Sequence, residues 1–206
     1  MDLLKKFDTQ ALYDASKDSL EYPTVSYVTE NDLIYFLSKP ELYEWVDLGL
    51  PSGLKWAAWN VGATKPEEYG LYFAWGETQG YTGITDEKNF IWADYEFSID
   101  GSSSNFSKYN SNDKLKELET SDDAASTTQS TCRMPTKADF DELIANTTST
   151  WETLNGVNGR RFTSKINDKS IFIPAAGYCD GGSFKSAGSG GCYWSSSLYE
   201  SNSYNA

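Results

Sequence analysis

Apolar residues in this chain fall in short runs separated by polar turns, and no long stretch keeps a helical period. Thr24-Val25-Ser26-Tyr27-Val28 and Leu33-Ile34-Tyr35-Phe36-Leu37 flank Thr29-Glu30-Asn31-Asp32, which has turn chemistry, and together they predict a β-hairpin. Ahead of it, Asp8 or Thr9 caps a short predicted helix with Leu12, Ala15 and Ser16 on one face. That helix stops before Tyr22-Pro23, because a residue preceding proline avoids the α region. A helix plus a two-stranded hairpin is too small to be stable alone. Residues 1–40 are therefore expected to pack on a partner, on copies of themselves, or as a lobe on the remainder of the chain.

From Glu41 onward Trp, Gly and Tyr recur at short spacing. Residues 43–49 and 54–60 predict two strands joined by a turn at Leu50-Pro51-Ser52-Gly53. The run Gly70-Leu71-Tyr72-Phe73-Ala74-Trp75-Gly76, apolar between glycines, predicts a segment buried on both faces. Between residues 98 and 131, 20 of 34 positions are Ser, Thr, Asn or Asp, a composition that predicts a long surface insertion with one helical turn at 114–118. The strongest helix signal follows: Thr136 as cap, Asp139 three residues on, and Phe140, Leu143 and Ile144 on one face, ending near Asn146. Strands are then predicted at 161–164 and 170–178, a glycine-rich loop at 181–191, and a last apolar segment from Cys192 to Ser197. Many short strands, one good helix and long loops define an irregular α+β domain over residues 41–206.

Composition narrows the function. The 206 residues carry 17 Lys plus Arg against 30 Asp plus Glu, a net charge of −13, with no basic cluster to track phosphates, so no nucleic acid is expected as a partner. With no histidine there is no Ser-His-Asp or Cys-His nucleophile and no His-ligated zinc. The 31 aromatic residues (7 Trp, 14 Tyr, 10 Phe) stand in for a modest aliphatic content, with Trp45, Trp56, Trp59, Trp75 and Phe172 expected in the core and the late tyrosines at the surface. The opening residues lack the apolar run of a secretion signal, and no run is long enough to span a membrane. The protein is thus expected to be made in the cytosol, without membrane insertion.

Candidate chemistry is sparse. Asp139, Asp141 and Glu142 sit where acids favour a helix N-terminus. Asp122-Asp123 offers oxygen ligands of the kind calcium takes, against the plainer reading of a solvated loop, and no other cofactor or metal is expected. Arg133, next to Cys132, is expected to pair with an acid, while Cys132, Cys179 and Cys192 read as buried small side chains or, for Cys179 and Cys192, as a bridge across the glycine-rich loop. No catalytic residue and no enzymatic activity are expected. Of the twelve residues from Ser195 to Ala206, nine are Ser, Tyr or Asn, the composition of adaptable binding surfaces.

Whole blocks of this sequence resemble the Fibrobacter-type major paralogous domain. They are Glu44-Trp45-Val46-Asp47-Leu48-Gly49-Leu50-Pro51-Ser52-Gly53-Leu54-Lys55-Trp56-Ala57, Asn60-Val61-Gly62-Ala63, Tyr72-Phe73-Ala74-Trp75-Gly76-Glu77, Asp122-Asp123-Ala124-Ala125, Arg133-Met134-Pro135-Thr136, Asn155-Gly156-Val157-Asn158-Gly159, Ile171-Phe172-Ile173-Pro174-Ala175-Ala176-Gly177-Tyr178 and Tyr193-Trp194-Ser195-Ser196-Ser197. The resemblance implies a C-type lectin-like fold, shared with formylglycine-generating-type domains and phage receptor-binding tips, with the ligand-facing region after the Trp-Ser-Ser block. The expected display surface is Trp194, Tyr199, Asn202, Tyr204 and Asn205. The calcium-sugar motifs of animal lectins and the reactive cysteine pair of the formylglycine enzymes are absent. Relatives also run on to a closing strand, so either the sequence is cut short after Ala206 or the sheet lacks that strand and is left with an exposed edge.

The opening 7–28 segment resembles virion fibre and decoration proteins of phages of gut Bacteroidetes. It implies a virion-anchoring, oligomerising unit at 1–40. The reading is a structural phage virion protein, a head or tail fibre on the virion exterior, bound to other virion proteins and to host surface polysaccharide or protein as a homo-oligomer. A bacterial cell-surface adhesin domain is the alternative, and a formylglycine-type enzyme a more remote one.

Overall fold

The structure, a computed structural model, describes residues 4–7, 26–28, 34–37, 44–85 and 88–198. The chain divides into two units, Met1–Leu42 and Tyr43–Ala206.

In the first unit β1 (Leu4–Phe7), β2 (Ser26–Val28) and β3 (Ile34–Leu37) form an antiparallel sheet in the order β1-β3-β2. The predicted hairpin is present, with Tyr27 opposite Tyr35. A third strand was not foreseen: β1 pairs along the other edge of β3, Leu4 opposite Leu37 and Phe7 opposite Ile34. Lys5-Lys6 weakens the local strand signal, but a two-stranded hairpin is marginal in water and a third strand completes its pairing. The helix predicted after Asp8 lies outside the described residues.

The second unit is mixed, with few helices and several small antiparallel sheets. The predicted strands at 43–49 and 54–60 shrink to β4 (Trp45–Val46) and β5 (Trp56–Ala57), paired Trp45 to Ala57 and Val46 to Trp56. The turn between them closes with Gly53 N–H donating to the Leu50 carbonyl at 2.9 Å. The helix α2 is preceded by a shorter one, α1 (Ala124–Thr128), and itself spans Lys137–Asn146 as its capping box predicts. Thr136 Oγ accepts from Asp139 N–H at 3.1 Å, and the Asp139 carboxylate accepts from Thr136 N–H at 2.7 Å. Leu143 is fully buried and Phe140 packs on Trp56, but Ile144 is exposed, because only the Phe140–Leu143 side of the helix meets the sheet.

That sheet is β6 (Thr147–Leu154), β7 (Val157–Ser164) and β8 (Ser170–Pro174), in the order β6-β7-β8. The strand β6 was not foreseen, although Asn155-Gly156 marks the hairpin turn. Both residues have positive φ (48° and 88°), as a two-residue turn between twisted strands requires. The glycine-rich loop also hides a hairpin, β9 (Tyr178–Asp180) and β10 (Ser183–Lys185), turned at Gly181-Gly182.

Two cores stand out among the described residues of this unit. Leu48, Leu50, Trp56, Leu143 and Ile171 join the β4–β5 corner, α2 and the sheet. Trp75, Phe97 and Tyr109 form an aromatic one, with Trp75 and Tyr109 edge to face at 4.9 Å, an arrangement ring quadrupoles favour. The second corrects the picture of a surface insertion at 98–131: Tyr109 is 1% exposed, and Phe106 and Ala124 are buried too. Nor is there a helical turn at 114–118. Lys114 has a φ of 59°, and the chain beyond it runs extended beside the 195–198 segment, Leu118 N–H to Ser196 carbonyl at 2.9 Å and Leu198 N–H to Lys116 carbonyl at 2.8 Å. The helical turn instead forms at α1, where the Asp123 carboxylate caps the N–H groups of Ala125 and Ser126. Residues 71–74 are half-buried rather than buried on both faces, with one bridge between Tyr72 and Tyr81.

Candidate functional site

A groove of about 990 Å³ runs through the second unit. Its walls are β5 and the residues after it, the 69–75 and 90–95 loops, the 130–135 segment, β8, and the 192–194 segment. Aromatic rings from every part but the 130–135 segment line it, Trp56, Tyr72, Trp92, Phe172, Tyr193 and Trp194 among them. The sequence anticipated only Trp194 of these as a ligand-facing residue. The others belong to short apolar runs between glycines, a pattern equally suited to a core strand, so their place on a groove was not legible.

The polar ends of several rings are used to fix the walls. Trp194 Nε1 donates to the Phe73 carbonyl at 3.0 Å, and Trp75 Nε1 to the Ser195 carbonyl at 2.8 Å. Tyr72 donates to the Ala176 carbonyl at 2.6 Å and Tyr193 to the Pro174 carbonyl at 2.7 Å. Burial pushes both phenols up to about 12, so they stay protonated donors. Ring faces are thereby left for contact, and Trp194, 41% exposed, combines one anchored edge with an open body. Two further indoles differ: Trp56 Nε1 and Trp59 Nε1 are buried without any hydrogen-bond partner. A buried donor left unsatisfied costs about 1–3 kcal/mol.

The 90–95 wall is held from behind by a buried cation. Lys88 Nζ meets Glu77 Oε2 at 2.6 Å and donates to the Asp94 carbonyl at 2.7 Å, and Glu77 also accepts from Glu96 N–H at 2.9 Å. Asp94 in turn accepts from the N–H groups of Asn89 and Ile91 through its carboxylate. Both acids on the groove walls, Asp94 and Asp180, are thus engaged, Asp180 with Lys185 at 2.6 Å.

The remaining candidates resolve as structural groups. Arg133 pairs with Asp139 as expected, at 2.5 and 3.1 Å, and its guanidinium holds the Asp139 carboxyl down at about 2. Asp141 pairs with Lys137, and Glu142 accepts from Ser52 N–H and Oγ at 2.8 and 2.6 Å. Asp122 accepts from Lys108 and Tyr109, each at 2.5 Å, and Asp123 from Met134 N–H as well as its two cap donors. The Asp122-Asp123 oxygens envisaged for calcium therefore face N–H and O–H donors. Among the described residues no group of three or more Cys, Asp or Glu side chains is placed to hold a metal ion.

No disulfide joins Cys132, Cys179 and Cys192: the first two are half-buried and Cys192 is exposed rather than buried, and the β9–β10 hairpin sets Cys179 opposite Phe184 instead of bridging it to Cys192. All three line the groove, and burial pushes the Cys179 thiol up, away from the reactive thiolate. Of the expected display surface, Trp194 stands at the groove, while Tyr199, Asn202, Tyr204 and Asn205 lie outside the described residues. No described helix is long and apolar enough to cross a membrane. No family model, curated protein or solved structure matches the chain.

Proposed function

We propose that this chain is a non-enzymatic bacteriophage virion protein, a head or tail fibre, whose second unit adopts a C-type lectin-like fold and holds host surface glycan in the aromatic groove. The observation that carries this is the groove itself, with Trp194 open at its wall and its neighbours' polar ends spent on backbone carbonyls. Aromatic faces with a few fixed polar groups suit a ligand that is apolar on one face and rich in oxygen at its edges, as a pyranose is. Trp56 and Trp59 add two unsatisfied donors along the same walls. Both nitrogens are sealed from water in this arrangement.

The family resemblance of residues 43–197 supports the lectin-like fold, and that of the opening segment supports residues 1–40 as the virion anchor. Many copies on one particle turn weak single-site binding into firm attachment, so no individual groove needs a tight ligand. A net charge of −13 suits the particle exterior, away from packaged DNA. Immunogold electron microscopy of particles released from lysed cells tests the virion assignment. Gold on the outside of particles is expected, and label confined to the host cytosol contradicts it.

A further inference from the structure

Among the described residues the strand β6 is an unpaired edge. It keeps an unbroken register with β7 from Thr147 to Leu154, so no bulge twists it away, and it contains neither proline nor lysine. Thr148, Ser149, Thr150 and Trp151 are all exposed, and no other strand pairs with β6 among the described residues. Trp151 leaves 49% of its surface in water, at the middle of the strand.

The turn fixes which backbone groups face outward. Leu154 and Val157 close the two-residue turn and so form a hydrogen-bonded pair, and such pairs alternate along an antiparallel ladder. Thr147, Ser149, Trp151 and Thr153 therefore direct their N–H and C=O groups away from β7. That set is symmetric about Thr150. An antiparallel copy of the same strand, turned about an axis at Thr150, puts Ser149 opposite Trp151 and Thr147 opposite Thr153, using every outward group.

We propose that β6 pairs with β6 of a second copy of this chain in that register, joining two three-stranded sheets into one of six strands. The surface matches itself chemically. The two Trp151 rings become diagonal neighbours on one face, about 7–8 Å apart and within reach of aromatic side chains. The strand's one charge, Glu152, is already held by Arg161 of its own chain at 2.7 Å, so no like charges meet at the axis although each chain carries −13. Such a contact is isologous and closes at two copies. It is independent of what the groove binds.

Single-cysteine cross-linking of the full chain, with the linked residues mapped by mass spectrometry, tests the register. Thr150→Cys places two thiols across the axis at a spacing a disulfide accepts, whereas Thr148→Cys separates them by four residues, about 13 Å. Mild oxidation is expected to give a 150–150 linked dimer for the first variant and none for the second. Thr150→Lys, at an exposed site, sets like charges opposite each other and is expected to weaken association about tenfold in sedimentation equilibrium. Equal cross-linking by both cysteine variants, or association unchanged by Thr150→Lys, overturns the proposal.

Discussion

Lys88 shows how much of the groove depends on one side chain away from its open face. Its ammonium is buried against Glu77 and ties the Asp94 carbonyl, which fixes the loop carrying Phe90, Ile91 and Trp92. Replacing it with methionine keeps the volume and strands the Glu77 charge, a loss of about 3–5 kcal/mol for a buried pair broken on one side. Urea unfolding of Lys88→Met checks this, and the double variant Lys88→Met with Glu77→Gln is expected to regain most of the loss. Asp139 is the matching case for pH. Its carboxyl lies at about 2 in the folded chain against an ordinary 3.8, so the Arg133 contact stabilises fully above the higher value and is lost as pH falls through the lower one. The melting-temperature gap between wild type and Asp139→Asn is expected to be constant from pH 7 to about 5 and to close between about 4 and 2.

Elements vary in how well their sequence announces them. The helix α2 was legible residue by residue, because Thr136 and Asp139 satisfy each other's N–H groups with no help from the rest of the fold. Thr136→Ala is expected to cost about 1 kcal/mol in chemical unfolding, with no change in the groove. The strand β6 was missed despite Thr147, Thr148, Thr150 and Thr153, since its exposed side chains give no alternation of apolar and polar positions and only Asn155-Gly156 marks the pairing. Residues 114–118 went wrong the other way. Leu115 and Leu118 have helical spacing, but both pack toward the Trp75–Tyr109 core from an extended segment paired with 195–198. Trp194 was singled out in the sequence, and the structure places it on the groove wall. Its neighbours on the groove were not, because an aromatic run between glycines reads the same whether it lines a cavity or fills a core.

At the scale of the whole molecule, the proposed attachment role rests on an aromatic groove left open in an acidic, histidine-free chain, with the acids on its walls held in ion pairs or hydrogen bonds. Under the proposed role, attachment through many weak grooves would make each one dispensable, so loss of one aromatic contact is expected to show in the single domain far more than in particles, where avidity masks it. The β6 pairing would set two grooves on one rigid sheet, which shortens the spacing between sites. The most direct measurement is tryptophan fluorescence of the full chain titrated with surface polysaccharide from the bacterium that yields the particles. A saturable change is expected, weakened about tenfold by Trp194→Ala, the equivalent of about 1.4 kcal/mol for one lost stacking contact. A wild-type chain that gives no saturable change, or a Trp194→Ala chain that binds as well as wild type, contradicts the groove as the site of attachment.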